Sequence, residues 1–128
     1  MFRLNQRMKG KIMAVINQLN EITYELITNE QGIVSLPTQK IIGELRAIIF
    51  KISEVDSLQG FKMSIALGDI ELLNEDIIKD SFYVLKTQSR DGFGQYCADS
   101  EYYLLNDELT IIAQGKPFSS IECTLRWV

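Results

Sequence analysis

Six apolar residues, Met8, Ile12, Val15, Leu19, Ile22 and Leu26, follow one another at alternating steps of four and three. That spacing is the seam by which a helix packs along another helix. A second run, Ile41, Leu45, Ile48, Ile52 and Val55, repeats it. The pattern predicts an N-terminal pair of facing helices, and it makes residues 1–58 mainly helical. Pro37 and Thr38 supply a start signal for the second helix, and Gly60 stops it. Met13, Ala14, Ile16 and Ile27 widen the first apolar face, as Ile42 and Ile49 widen the second. The first helix therefore needs cover from something besides its partner, either a sheet or another molecule. Gly43 and Ala47 leave a shallow groove for close approach. Phe50, off the main stripe, is a flank contact with a sheet or an exposed anchor for a partner.

The second half of the first run carries a competing signal. Glu21 to Thr28 is rich in β-branched residues, and Asn29-Glu30-Gln31-Gly32 can turn a β-hairpin into Ile33 to Leu36. The continuous seam favours the helix and leaves the hairpin as the alternative.

After Gly60 the period changes to two. Phe61, Met63, Ile65 and Leu67 alternate with Lys62, Ser64 and Ala66, and Gly68-Asp69 reads as a tight turn into Ile70 to Leu73. Asn74 is placed to cap a short helical turn through Ile78. Ser81 to Thr87 reads as a strand, and residues 89–94 as a loop. Tyr102 to Leu105 turns at Asn106-Asp107 into Leu109 to Ala113, and Gly115-Lys116-Pro117 leads into the last strand. There Ile121, Cys123, Leu125 and Trp127 face one way, while Ser120, Glu122, Thr124 and Arg126 face the other. The expected fold is α+β: one domain over 1–128, with the helical pair packed on an antiparallel meander sheet of about five or six strands in residues 61–128.

Charge and composition exclude several functions. The chain has no histidine, which removes Ser-His and Cys-His nucleophile pairs and histidine metal sites. Its net charge of −4 opposes general nucleic-acid binding. Arg3, Arg7, Lys9 and Lys11 put four positive charges and no acid in the first twenty residues, leaving −8 on the rest. That segment can dock on the acidic body, a second copy or an acidic partner. No apolar run reaches the length of a membrane span or of a secretory h-region, so the expected location is cytoplasmic, with Cys97 and Cys123 reduced.

The remaining candidate chemistry is sparse. Asp69 and Glu71, Glu75 and Asp76, Asp99 and Glu101, and Asp107 and Glu108 are acidic pairs. Only Asp99 and Glu101 would share a strand face without a turn role already explaining an acid. Asp91-Gly92-Phe93-Gly94 has two glycines but no phosphate-loop lysine. Around it Arg90, Phe93, Tyr96 and Tyr102 cluster in sequence, an arginine with aromatics beside a loop. With Phe50 and the stripe Arg3, Arg7 and Lys11, they are the candidate binding residues.

No catalytic residue, metal site or cofactor is implied. Small size, acidity and absence of an export signal are shared with accessory proteins of bacteria and phages, such as immunity proteins, antitoxin-like inhibitors and secretion chaperones, an analogy of class alone. The expectation is a non-enzymatic protein-interaction module that binds another protein or a second copy of itself. The alternative is a small-molecule or nucleotide binding domain. Its pocket would lie between helices and sheet, or at a subunit interface, lined by Tyr83, Phe93, Tyr96 and Tyr102.

Overall fold

The computed structural model of the chain describes residues 19–53, 59–90 and 96–128, and of 88–90 and 96–100 it describes the backbone alone. Every regular element among them is a strand. In order they are β1 (Asn20–Ile27), β2 (Ile33–Pro37), β3 (Ile41–Ile52), β4 (Phe61–Leu67), β5 (Ile70–Ile77), β6 (Ser81–Tyr83), β7 (Lys86–Arg90), β8 (Tyr96–Tyr102), β9 (Leu104–Asp107), β10 (Thr110–Gly115) and β11 (Ser120–Trp127). The fold is all-β. The expected α+β architecture with its N-terminal helical pair is overturned.

A β-bulge accounts for the misleading seam of β3. Trp127 pairs with Leu45 but Arg126 with Ala47, so Arg46 is one extra residue in β3. Before the bulge Ile41 and Leu45 point inward; after it Ile48 and Phe50 do. The one-residue slip turns period two into steps of four and three, the rhythm of a helix. Phe50 separates the readings: off the helical stripe, it is completely buried. In β1, Tyr24 does the same, half-buried between Ile22 and Leu26 while Glu21, Thr23 and Glu25 stay exposed. The earlier part of the first seam, Met8 to Gln18, lies outside the described residues.

The turn at Asn29 to Gly32 forms. The amide of Gly32 donates to the carbonyl of Asn29 (2.9 Å), and the Asn29 side chain accepts from Gln31 (2.9 Å). It does not close a hairpin. β1 pairs with β11 and β2 with β10, so the turn is an arch between two sheets. One sheet runs β1-β11-β3-β6, with β9 also paired to β3; the other runs β2-β10-β4-β5; β7 and β8 form a separate two-stranded hairpin.

The expected meander also fails. β9 and β10 are consecutive yet lie in different sheets, and β10 and β11 likewise. Ser81 to Thr87 breaks after Tyr83, because β6 serves β3 while β7 serves β8. Asn74 to Ile77 continues β5 where a helical turn was expected. Pro37 and Thr38, read as a helix start, instead end β2. Thr38 is buried, its amide donating to the Leu109 carbonyl (2.8 Å) and its hydroxyl accepting from the Leu109 amide (2.9 Å).

Two readings hold. Gly68, at φ 61°, turns the β4–β5 hairpin as the first residue of a two-residue loop. β11 alternates as expected, with Ile121, Cys123, Leu125 and Trp127 buried. These side chains stand in rows across the first sheet, Ile22–Leu125–Ile48, Tyr24–Cys123–Phe50 and Leu26–Ile121–Ile52. Opposite them, Ile111 and Ala113 of β10 and Met63 and Ile65 of β4 complete one buried cluster. Each fully buried Leu or Ile contributes about 1.5–3 kcal/mol relative to exposure, so this cluster dominates stability. Gly43, at φ 138°, is a point of close approach, but in a strand, and not in the helical groove expected between it and Ala47. A Cβ there would strike the carbonyl oxygen of Val128, which accepts from the Glu44 amide at 2.8 Å.

Candidate functional site: an apolar strip around Tyr102

The side of β3 away from β11 is shared end to end. β9 pairs with residues 41–44 and β6 with residues 48–50. The β7–β8 hairpin leaves the sheet from the gap between them, anchored where the Leu45 amide donates to the Tyr103 carbonyl (2.9 Å). Period two then sets which residues face outward. Phe82, opposite Ile49, and Leu104, opposite Glu44, point away from the core. Val84 and Ile42 extend the same apolar row. Phe82 is 59% exposed, Val84 47%, Leu104 78% and Ile42 66%. Ile70, Ile78 and Phe118 are as exposed elsewhere, and it is the shared place along β3, β6 and β9 that groups these four.

Tyr102 marks the middle of this strip. The Arg46 guanidinium carbon lies 4.5 Å from its ring centroid and the Lys86 ammonium 4.7 Å. Lys86 reaches it because the two residues are cross-strand partners in β7–β8. Arg46 reaches it because the bulge puts this extra residue on the surface. Glu44 holds Arg46 with a 2.8 Å ion pair to Nη2. Two cations against one carboxylate leave one positive charge over the ring. Contacts of this kind contribute about 0.5–1 kcal/mol at an exposed site. Their larger consequence is to fix an aromatic ring in place before any partner arrives.

The sequence candidates divide around this cluster. Tyr102 belongs to it. Arg90 and Tyr96 are register partners further along the same hairpin, and their side chains lie outside the described residues. Arg3, Arg7, Lys11 and Phe93 lie outside them altogether, as do the side chains of Cys97 and Asp99. Phe50 is buried against Tyr83, whose ring meets it edge-on at 6.0 Å, so it is no surface anchor. Arg46, Lys86, Phe82, Val84 and Leu104 were not singled out in the sequence, and Ile42, expected to widen a buried helix face, is exposed instead. The signal for the apolar ones is doubled apolar residues: Ile41-Ile42, Ile48-Ile49, Phe82 to Leu85 and Leu104-Leu105 leave neither strand face polar.

Other chemistry is limited among the described residues. Burial pushes the Cys123 thiol up to about 12, which removes it as a nucleophile at neutral pH. No group of three or more Cys, Asp or Glu side chains there could hold a metal ion. No described helix is long and apolar enough to cross a membrane. A cavity of about 430 Å³ lies at one end of β4 and β10, between Lys62, Asp76, Ile78 and Lys116. Neither Tyr83 nor Tyr102 lines it, and the absence of a helical pair removes the expected cleft between helices and sheet. No family model, curated protein or solved structure matches the chain.

Proposed function

We propose that this protein is a protein-interaction module whose binding face is the strip of Ile42, Phe82, Val84, Tyr102 and Leu104. One observation carries the reading: four large apolar side chains are exposed along β3, β6 and β9, the strands next to the hairpin whose Tyr102 is held by Arg46 and Lys86. Binding hot spots favour this composition, an aromatic and an arginine amid apolar surface that partner contact dries. The positive charge over Tyr102 favours an apolar partner segment with a carboxylate beside it. The partner is another protein or a second copy of this chain.

The test is affinity capture from native extract with the tagged wild type, Leu104→Glu, Phe82→Glu and a control, Glu122→Gln, together with the native mass of each. A partner, or a doubled mass, retained by wild type and Glu122→Gln and lost with the two strip variants supports the proposal. Equal retention by all four contradicts it.

A further inference from the structure

One row of side chains crosses the outer face of the second sheet near its end, away from the strip. Asp76 of β5 stands across from Lys62 of β4, and Lys62 across from Gln114 of β10. Their chain neighbours Ile77, Phe61 and Ala113 are buried in the core, so strand alternation turns this row to solvent. Ile78 and Lys116, two residues past Asp76 and Gln114, join the row in lining the cavity of about 430 Å³. Small-molecule sites span roughly 300–1,000 Å³, and this one falls among them.

Close packing fixes the floor. A Cβ on Gly115 would come within 2.8 Å of the Phe61 ring, and one on Gly60 within 2.8 Å of the Ile77 carbonyl oxygen. The Gly115 amide donates to the Gly32 carbonyl at 2.8 Å, which ties this end of β10 to the arch at residues 28–32. Backbone and a buried ring therefore shape the hollow before any ligand arrives.

Charge then selects the ligand. Lys62 and Asp76 are direct cross-strand partners of opposite sign, a favourable pairing in a ladder. Yet neither they nor Lys116 take part in an ion pair among the described residues. Two ammoniums to one carboxylate leave a positive charge over the cavity, on a chain whose net charge is −4. An anionic group seated there accepts charge-assisted hydrogen bonds from the ammoniums. Strand order sets the direction of the rest. Lys116 lies on the β10 side of Lys62, whereas Asp76 and the exposed Ile78 lie on the β5 side. Asp76 would repel a second anionic group there, and Ile78 offers an apolar wall.

We infer that this cavity binds a small organic anion, its single phosphate or carboxylate held by Lys62 and Lys116 and its apolar body against Ile78. The site is independent of the strip around Tyr102, and none of its side chains belongs to both.

Amide NMR titration of the full chain with phenyl phosphate, benzoate and inorganic phosphate tests this. The variants are Lys62→Gln, Lys116→Gln, Ile78→Ser and, as a control of equal charge change, Lys51→Gln. All four side chains are exposed, so the fold survives each change. Saturable shifts at Gly60, Lys62, Ile78 and Gly115 with phenyl phosphate or benzoate are the expected result. Whichever of the two saturates at lower concentration identifies the preferred anionic group. Binding should weaken about tenfold in Lys62→Gln and in Lys116→Gln, and about threefold in Ile78→Ser. Lys51→Gln should bind as wild type does. Inorganic phosphate, which lacks the apolar body, should bind about tenfold more weakly than phenyl phosphate. Equal binding of the two would mean an adventitious ion only and overturns the inference. Shifts that saturate with neither organic anion overturn it as well, as do shifts unaltered in both lysine variants.

Discussion

The two halves of the first sheet's outer face solve the same problem differently. On the β1–β11 half, Arg126 meets Glu21 at 2.6 Å and the hydroxyls of Thr23 and Thr124 meet at 2.7 Å. These two pairs are matched across the ladder, while Glu25 faces Glu122 with like charge. On the β3–β6–β9 half, Ile49 faces Phe82, and Leu104 and Ile42 stand in solvent. The first half is polar on its outer face except for Ile27 at the end of β1. The second leaves apolar area exposed around a fixed Tyr102, and that contrast, in one sheet over one core, is the reason to assign binding to it.

Changes to the shared core must affect both halves alike, and they should be the largest. Phe50→Ala removes a fully buried ring from β3 and should cost about 3–5 kcal/mol in denaturant unfolding. A smaller loss confined to the strip side would mean that the halves do not share a core. Alkaline pH acts on the same core through Cys123. Its thiol is raised from 9.0 to about 12 by burial, so the folded state holds the proton that the unfolded state releases first. Stability is therefore complete below pH 9 and falls as pH rises toward 12. Cys123→Ala should remove that slope in unfolding curves recorded across this range.

Surface changes should separate the halves. Leu104→Glu should weaken partner binding at least tenfold while shifting stability by no more than about 0.5 kcal/mol, since the side chain packs against solvent. Tyr102→Ala should cost about 0.5–1 kcal/mol through its cation contacts and also weaken binding. Arg126→Ala should cost only about 0.2–1 kcal/mol, diminish in salt and leave binding unchanged. Binding loss in Arg126→Ala equal to that in Leu104→Glu would erase the contrast.

How much of this was legible in the sequence depended on whether a strand kept its alternation. β11 and β4 do, and both could be read residue by residue. β3 does not, because the bulge at Arg46 inserts one residue and makes Ile41, Leu45, Ile48 and Ile52 imitate a helical seam. Partner choice was also hidden. Asn29 to Gly32 has true hairpin chemistry, yet tertiary pairing sends β1 and β2 to different sheets. The site was half visible. Arg90, Tyr96 and Tyr102 marked the hairpin, but Arg46 comes to Tyr102 from 56 residues away through the β3–β9 pairing. The doubled apolar residues were present and could have been taken as a warning of an outward apolar face.

The most direct measurement is side-chain footprinting of the chain, free and with its captured partner bound. Protection of Phe82, Val84, Tyr102 and Leu104, with Thr23, Thr124 and Glu122 unchanged, is the predicted result. Protection confined to the β1–β11 half, or to β4 and β5 in the other sheet, would contradict the assignment of the binding face.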